Sequence, residues 1–303
     1  MTVVAEVVRS GFVESVHHGV VAFTDRPGVG ETGVPFFPRS SNKPLQTVGM
    51  LRHGLVPREE TDLAMISASH DGEPFHVERV RGILGAAGLG LEALGCPAQL
   101  PFGEAPRNAW LRNGGSAEPI LMNCSGKHAG MLATCVINGW PLASYLDPRH
   151  PLQVALAEAV SELAGEPIAA AGVDGCGAPV LAISPVALAR SFQRLVEAAP
   201  GTQERRVADA MRAHPELVAG TDSPDTVLMG KVPGLLMKSG ADGVVAAAVP
   251  GAGGIAIKIS DGAARARVPV LLEALRRLGV EAPPLDEPVL GGGLRVGEVR
   301  AAW

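Results

Sequence analysis

Segments with the composition of β-strands lie near both ends of the chain, and most of what separates them has a helical pattern. Residues 3–8 and 19–24 are rich in valine, and residues 233–262 contain three more apolar segments joined by glycine-containing turns. Short β-branched runs bounded by such turns are typical of strands, and short turns join antiparallel neighbours. The pattern predicts a mixed α/β chain of the α+β class, with a predominantly antiparallel sheet that is closed by both ends and flanked by helices.

Between these ends, apolar residues at helical spacing predict several helices. They span about 76–87, 150–163, 187–198, 203–213 and 263–278. Residues 95–119 are rich in glycine and proline, and we expect them to be irregular. Gly126 and Gly130, in a further helical segment, would allow that helix to pack closely against another element.

Length and composition limit the classes of function. The chain has 303 residues, 47% of them hydrophobic, and shows no internal repeat or linker, so we expect a single domain over residues 1–303. No apolar run approaches the roughly 20 residues of a membrane span, and the first residues do not resemble a signal peptide. The net charge is −5, without a basic cluster. We therefore expect a cytoplasmic protein that binds neither membranes nor nucleic acid.

The sequence Arg-Ser-Ser-Asn-Lys-Pro-Leu-Gln at residues 39–46 places Ser40 three residues before Lys43. Residues i and i+3 share a helix face, so this spacing at a helix start brings a hydroxyl and an amine together. A serine needs a base to become a nucleophile, and a lysine serves only if burial or a nearby positive charge keeps it partly neutral. Pro44 disfavours helical geometry at Lys43, which predicts an irregular start for the helix. Taken alone, the spacing also fits a serine that caps a helix.

Lysine is scarce in this chain, which makes each lysine more informative. Only five of the 26 basic residues are lysine, and three of the five stand in compact motifs: Ser-x-x-Lys43, Ser-Gly-Lys127 and Lys238-Ser-Gly. Serine acyl-transferases of the β-lactamase and penicillin-binding type combine S-x-x-K on a helix with K-T-G or K-S-G on a strand. Lys238 ends a predicted strand, although a convincing Ser-Asp-Asn element is absent. The combination indicates acyl transfer on a serine.

Other polar clusters interrupt the apolar segments. Residues 67–73 (Ser-Ala-Ser-His-Asp-Gly-Glu) follow an apolar run, where either a site or an ordinary capping turn is expected. Cys124 and Lys127 are again three residues apart, and Cys176 lies between two glycines. Four cysteines in such a chain do not form a disulfide framework, and buried free cysteine is the ordinary alternative.

Five motifs together resemble the class 3, or rhizobial-type, L-asparaginases of the asparaginase II family. In chain order they are R-S-S-N-K-P-L-Q, S-A-S-H-D-G-E, N-C-S-G-K-H-A-G-M, G-V-D-G-C-G-A-P and M-K-S-G-A-D-G-V. The resemblance runs over most of the chain, from residues 14–17 to residues 257–262. It implies one asparaginase domain with a fold similar to serine β-lactamases and glutaminases. It also implies an amidohydrolase that cleaves the side-chain amide of L-asparagine to L-aspartate and ammonia.

The resemblance implies two catalytic Ser-Lys pairs: Ser40 with Lys43, and Ser69 with Lys238. A lysine amine takes a serine proton, the alkoxide attacks the carboxamide, ammonia leaves, and water cleaves the acyl-enzyme. Two lysines close together lower each other's pKa by charge repulsion, which would supply the neutral amine. The sequence does not decide which serine attacks, and we favour Ser40 because its lysine belongs to the same turn.

The resemblance also implies a zinc position made by Cys124, Lys127 and Cys176, with water as the fourth ligand. Two thiolates are good Zn²⁺ ligands, whereas a lysine ligand is unusual because its amine must be neutral. Asp174 would support this metal site or bind the substrate ammonium. The alternative is two buried cysteines without a metal, and a bound metal would orient the substrate without necessarily entering the chemistry.

Three further residues are candidates for substrate binding. His70 and Glu73 would bind the charged ends of the substrate or order the site. Arg39 would hold the α-carboxylate, although an arginine at a solvated strand end is an equal alternative. The family is dimeric, so the resemblance also implies a homodimer.

An alternative function is a penicillin-binding or β-lactamase-like serine acyl enzyme, or a non-catalytic small-molecule-binding protein on the same fold. The missing signal peptide argues against a cell-wall substrate, which lies outside the membrane. The two intact Ser-Lys pairs argue against a catalytically silent protein.

Overall fold

The computed structural model describes residues 2–303. Nine strands occur in this part of the chain: Thr2–Arg9 (β1), Phe12–Phe23 (β2), Ala170–Val173 (β3), Pro179–Ala182 (β4), Leu236–Gly240 (β5), Val244–Val249 (β6), Gly253–Ile259 (β7), Pro288–Gly291 (β8) and Leu294–Ala301 (β9). Seven of them form one sheet in the order β5-β6-β7-β2-β1-β9-β8, and β3 and β4 form a separate hairpin. Every strand pair is antiparallel. The predicted fold class, with strands from both ends in one sheet, is therefore confirmed.

Eleven α-helices accompany the sheet. They are Lys43–Arg52 (α1), Thr61–Ile66 (α2), Pro74–Ala86 (α3), Glu104–Arg112 (α4), Ser125–Asn138 (α5), Pro151–Ala164 (α6), Pro185–Glu197 (α7), Gln203–Ala213 (α8), Pro215–Val218 (α9), Pro224–Lys231 (α10) and Arg267–Arg277 (α11). Among residues 2–303, no helix has the length and apolar character that crossing a membrane requires.

The central strands are covered on both faces. Every residue of β6 except Val249, and every residue of β7 except Lys258, is buried, and α7 and α11 both contact these strands. The approach of α7 is close, because a Cβ on Gly254 would lie 2.2 Å from the Ala189 carbonyl oxygen. Burial on both faces explains why these strands have continuous apolar sequences instead of alternating ones.

The first and last strands of the described chain are neighbours. Ala5 of β1 pairs with Ala301 of β9, and the opposite edge of β1 pairs with β2. The hairpin of β8 and β9 was not predicted, because only Val289 and Val299 in it are buried and its sequence mixes glycine, arginine and glutamate. Such an edge hairpin lacks the apolar signal by which strands are recognised.

Two local predictions near the site have different outcomes. Residues 39–42 form a 3₁₀ turn before α1, which confirms the irregular start, and Pro44 lies in the first turn of α1, where its missing N–H costs nothing. The expectation that residues 95–119 are wholly irregular is wrong, because α4 lies within them. Its side chains are largely exposed, so it has no apolar face to reveal it.

The glycines of α5 serve the expected purpose. A Cβ on Gly126 would lie 2.3 Å from the Met65 carbonyl oxygen, and one on Gly130 would lie 2.7 Å from the Ile66 side chain. The start of α5 therefore lies against the end of α2. This contact brings residues 124–127 close to the polar segment 67–73.

Candidate active site

The 3₁₀ turn that carries Ser40 is fixed against strand β5. Ser41 Oγ donates a hydrogen bond to the Lys238 carbonyl oxygen at 2.9 Å. A Cβ on Gly240 would come within 2.7 Å of the Pro38 carbonyl oxygen, so the glycine permits this close approach. The first and last predicted motifs, Ser40-x-x-Lys43 and Lys238-Ser-Gly, therefore meet.

Lys43 is buried and reaches from α1 to the end of α2, where it donates to the Ala68 carbonyl oxygen. Its Nζ also lies 3.0 Å from Ser69 Oγ. Within residues 2–303, no hydrogen bond joins Ser40 to Lys43 or Ser69 to Lys238. The two serines and two lysines come together, but the observed hydrogen bond joins Lys43 of one expected pair to Ser69 of the other. The sequence spacing did not predict this bond, because the Lys43 side chain is directed by a segment 25 residues away.

Lys238 is 1% exposed, and its Nζ donates to the Ser239 carbonyl oxygen at 2.6 Å. Burial lowers the pKa of Lys238 to about 7; the negative charge of Asp225 opposes the shift, and the charge of Lys43 adds to it. The nearest acid is not free to pair with the lysine, because Asp225 accepts hydrogen bonds from Ser239 Oγ at 2.6 Å and Ser239 N at 2.8 Å. Lys238 is therefore about half neutral near pH 7 and can accept a proton.

A cavity of about 260 Å³, which we call the main cavity, opens beside these groups. Its wall includes Ser40, Ser69 and Lys238, and also four charged side chains absent from the predicted site: Asp71, Asp225, Asp242 and Arg267. Such a volume is below the ~300–1,000 Å³ of sites for drug-sized ligands, and it suits a small substrate.

Ser40 also borders a second, tight gap, which we call the small cavity and which has no room for a water molecule. Ser40 lines both cavities, whereas Arg39, Lys43, Lys127 and Asp174 line only the small one. The Ser40 hydroxyl has no hydrogen-bond partner among residues 2–303 and so is available to a ligand in the main cavity.

Arg39 and Asp174 form an ion pair with each other. Arg39 Nε lies 2.8 Å from Asp174 Oδ1, the same oxygen accepts from Gly175 N at 2.8 Å, and Arg39 also pairs with Asp242. Burial alone would raise the pKa of Asp174, but the Arg39 hydrogen bond and the neighbouring charges hold it below its ordinary value. These contacts also hold Arg39 at φ +53°, a left-handed conformation that costs a non-glycine residue about 1–2 kcal/mol.

The predicted metal ligands form one buried cluster. Lys127 Nζ lies 3.3 Å from Cys176 Sγ, and Cys124, Lys127 and Cys176 are each at most 4% exposed. A hydrogen bond from Cys176 lowers the pKa of Cys124 despite burial, and the charges of Lys43 and Lys127 act in the same direction. The bond to Cys124, together with burial, raises the pKa of Cys176.

This donor set fits zinc chemically, since two adjacent sulfurs and an amine are gathered without competing carboxylates. Among residues 2–303, however, no group of three or more His, Cys, Asp or Glu side chains is arranged to hold a metal. Any metal here would therefore need the lysine as its third protein ligand.

Comparison with known proteins decides the family. The sequence profile of the L-asparaginase II family matches residues 5–301. The chain belongs to the L-asparaginase II family. Membership supports an amidohydrolase activity on a small-molecule amide.

Other comparisons add little to this L-asparaginase II assignment. No curated protein sequence matches the chain significantly. The solved native structure of Mglu is 15% identical over 86% of this chain, with a TM-score of 0.46, and this chain covers 62% of the length of Mglu. A β-lactamase from Mycobacterium bovis is 14% identical over 91% of this chain and 94% of its own length, with a TM-score of 0.43. Since both TM-scores lie below 0.5, nothing about this family member is concluded from them.

Two residues that the L-asparaginase II motifs suggested for substrate binding do not line either cavity. His70 is fully buried, and its Nε2 lies 2.8 Å from Ser125 Oγ, while its ring stacks on His76. Glu73 caps α3, and its carboxylate accepts from Thr221 N and Thr221 Oγ1, both at 2.8 Å. Through these contacts both residues hold the segment that carries Ser69, and neither reaches a cavity where a substrate could bind.

Sequence reasoning missed Asp71 and Arg267 on the wall of the main cavity. Asp71 lies within the S-A-S-H-D-G-E motif, two residues after Ser69, so its position offered a signal. Arg267 begins α11, and no motif marks it. Only the fold brings these two residues to one cavity.

Proposed function

We propose that the protein hydrolyses the side-chain amide of L-asparagine to L-aspartate and ammonia through a serine acyl-enzyme. The observation that carries the proposal is the hydrogen bond of 3.0 Å between buried Lys43 Nζ and Ser69 Oγ, at the wall of a cavity shared with Ser40 and Lys238. Two hydroxyls and a buried amine on the wall of the main cavity, with a second buried amine bonded to one of the hydroxyls, suit nucleophilic acyl transfer. Membership of the L-asparaginase II family supports the same chemistry.

Ser40 is the proposed nucleophile, because its hydroxyl is unpartnered and the residue lines the main cavity. Lys238 is the proposed base, because its pKa of about 7 leaves part of it neutral. Lys43 suits that role less well, since it already donates to Ala68 O and Ser69 Oγ. Because Lys43 Nζ donates the bond to Ser69 Oγ, the Ser69 hydroxyl can still donate its own hydrogen bond. Its acceptor would be the carbonyl oxygen of the substrate, where negative charge develops.

The proposed reaction forms an ester on Ser40 and then hydrolyses it. Ser40 Oγ bonds to the carboxamide carbon while its proton moves to Lys238 Nζ. The carbon–nitrogen bond then breaks, and the leaving nitrogen takes the proton and departs as ammonia. Water next attacks the ester, gives a proton to Lys238, and releases the aspartate side-chain carboxyl; the returned proton restores the Ser40 hydroxyl.

Cys124, Cys176 and Lys127 are proposed to hold a zinc ion. Bound zinc would supply a Lewis acid that polarises an oxygen of the substrate. The cluster is adjacent to the proposed catalytic groups, since the charge of Lys43 lowers the pKa of Cys124. Lys127 lines the small cavity, so the cluster borders the space that Ser40 also reaches.

Ammonia release tests the proposed reaction. The purified protein should release ammonia from L-asparagine, at a rate well above that from L-glutamine, and should not hydrolyse nitrocefin. A folded protein that releases no ammonia from L-asparagine refutes the proposal. Hydrolysis of nitrocefin without amidase activity would favour the penicillin-recognising alternative.

Elemental analysis tests the metal proposal. Wild-type protein should contain zinc, and Cys176→Ala should lose it. Cys135→Ala is the matched control, because Cys135 is equally buried, is not part of the cluster, and has a pKa that burial raises to about 11. Equal zinc in wild type and Cys176→Ala rules the site out.

A further inference from the structure

Asp71 is a carboxylate that the fold holds in place without a partner. Its N–H donates to the Ala219 carbonyl oxygen at 2.7 Å, and its own carbonyl oxygen accepts from Gly103 N at 2.9 Å. A Cβ on Gly220 would lie 2.3 Å from Asp71 Oδ2, so that glycine leaves room for the carboxylate. Both neighbouring loops therefore fix Asp71 on the wall of the main cavity.

The carboxylate of Asp71 makes no hydrogen bond and no ion pair with any side chain or amide of residues 2–303, although the residue is partly buried. Burial raises the pKa of Asp71 to about 6, and the nearby charges of Glu73, Asp225 and Asp222 act in the same direction. A carboxylate without a partner in such surroundings destabilises the fold, and a cationic ligand would relieve that cost.

The other acids near the cavities already have partners. Asp225 accepts two hydrogen bonds from Ser239, and Glu73 accepts two from Thr221. Asp174 is paired with Arg39, and so is Asp242. Asp71 is therefore the acid of the main cavity that is left for a substrate.

Arg267 is the complementary group. It begins α11, lines the main cavity, and donates to the Gly240 and Ala264 carbonyl oxygens at 3.0 and 3.4 Å. Its charge acts on Glu287 and lowers the pKa of Lys238, but it forms no ion pair within residues 2–303. A guanidinium at a helix N-terminus is a favourable place for a carboxylate.

We propose that Asp71 binds the α-ammonium and Arg267 the α-carboxylate of the substrate, so that the site selects free amino acids over simple amides. This inference rests on the proposed function, because it concerns the same cavity and the same reaction. It replaces Asp174 and Arg39 in these two roles, since each of those already neutralises the other. The two new charges, one of each sign, flank the cavity that contains Ser40, Ser69 and Lys238.

The test compares three amides. L-Asparagine carries both charged groups, succinamate lacks the ammonium, and 3-aminopropanamide lacks the carboxylate. Asp71→Asn should lower kcat/KM for L-asparagine and for 3-aminopropanamide by about 10- to 100-fold, mainly through KM, and should affect succinamate much less. Arg267→Gln should lower kcat/KM for L-asparagine and succinamate by a similar factor and affect 3-aminopropanamide much less.

Matched controls separate contact from a general change of charge. Asp222→Asn removes an exposed carboxylate that acts on Asp71 but does not line the main cavity. Arg265→Gln removes an exposed arginine two residues before Arg267 that donates to His17. Both controls should stay within about threefold of wild type for all three amides.

A purely structural role for Asp71 predicts a different result. Because its carboxylate has no partner, Asp71→Asn should keep or raise the melting temperature while it weakens substrate binding. A lowered melting temperature together with an equal loss for all three amides would overturn the inference. The inference is also overturned if Asp174→Asn, and not Asp71→Asn, produces the selective loss for amides that carry an ammonium.

Binding of L-aspartate, measured by calorimetry, separates this inference from the proposed reaction because it needs no turnover. Wild type should bind L-aspartate, and both Asp71→Asn and Arg267→Gln should bind it at least about tenfold more weakly. That result supports the inference even if L-asparagine is not hydrolysed. If L-asparagine is hydrolysed with unchanged KM in both variants, the proposed function stands and this inference fails.

Discussion

Two lysines of the site are buried to the same degree but lie in different surroundings. Lys43 and Lys238 are each 1% exposed. Lys43 donates to two oxygens of the segment after α2, whereas Lys238 donates only to the carbonyl oxygen of its own neighbour, Ser239. The two lysines therefore differ in their hydrogen-bond acceptors and not in their burial, and the proposed mechanism uses Lys43 to orient Ser69 and Lys238 to accept a proton.

The largest expected effect tests which of the two serines is the nucleophile. Ser40→Ala should lower kcat by roughly 10⁴-fold or more, because no acyl-enzyme can form without the nucleophile. Ser69→Ala should cost less, because it removes a hydrogen-bond donor and leaves the nucleophile. The measurement is single-turnover ammonia release, with mass spectrometry of the acyl-enzyme. An acyl group on Ser69, or full activity of Ser40→Ala, would reverse the roles.

The next effect compares the lysines directly. Lys238→Met should lower kcat by about 10²–10⁴-fold, the usual value of a general base. Lys238→Arg should be no better, since a guanidinium does not give up its proton near pH 7. Lys43→Met should lower kcat less than Lys238→Met does, because Lys238, which performs the proton transfer, is still present. Equal losses, with identical pH profiles, would show that the lysines act as one unit.

The pH dependence of kcat distinguishes the lysines further. Lys238 has a pKa of about 7, lowered from its usual range, so it is protonated below that pH and cannot take the Ser40 proton. We expect kcat to fall as the pH drops through about 7. Lys43→Met should keep this acidic limb, and Lys238→Met should lose it. A wild-type profile that is flat between pH 5 and pH 9 would contradict the assignment.

The smallest effect concerns Asp225, whose negative charge raises the pKa of Lys238 against the effect of burial. Asp225→Asn should therefore move the acidic limb of kcat to lower pH, with a modest change in its maximum. Asp222→Asn is a suitable control, because it removes an exposed carboxylate three residues before Asp225. If the acidic limb instead moved to higher pH, Asp225 would act on Lys238 only through the hydrogen bonds that it accepts from Ser239.

Much of the fold could be predicted because its central elements carry strong apolar patterns. The strands near residues 236–259 and the helices α6 to α8 have continuous or periodic apolar sequences. The hairpin of β8 and β9 and the exposed helix α4 could not be predicted in this way, because their stability depends on the elements that they join.

For the site, the residue types could be predicted but their partners could not. Ser40, Lys43, Ser69 and Lys238 do come together, yet the hydrogen bond from Lys43 to Ser69 depends on how α2 packs against α5. Arg39 and Asp174 were assigned to the substrate, but a sequence does not show that the two side chains neutralise each other. The zinc ion and the homodimer stay predictions from the family resemblance, and the cytoplasmic location stays a prediction from the sequence.

The pairing of Ala5 with Ala301 has a consequence for how the protein is made. Strand β1 leaves the ribosome well before β9, so one of its two hydrogen-bonding edges stays open until β9 has been synthesised. Contacts between such distant residues form slowly, and an open strand edge in a nascent chain invites association with other chains. Strand β5, which carries Lys238, is at the far edge of the sheet from this late hairpin. A nascent chain can therefore pair the strands around the site before β9 arrives.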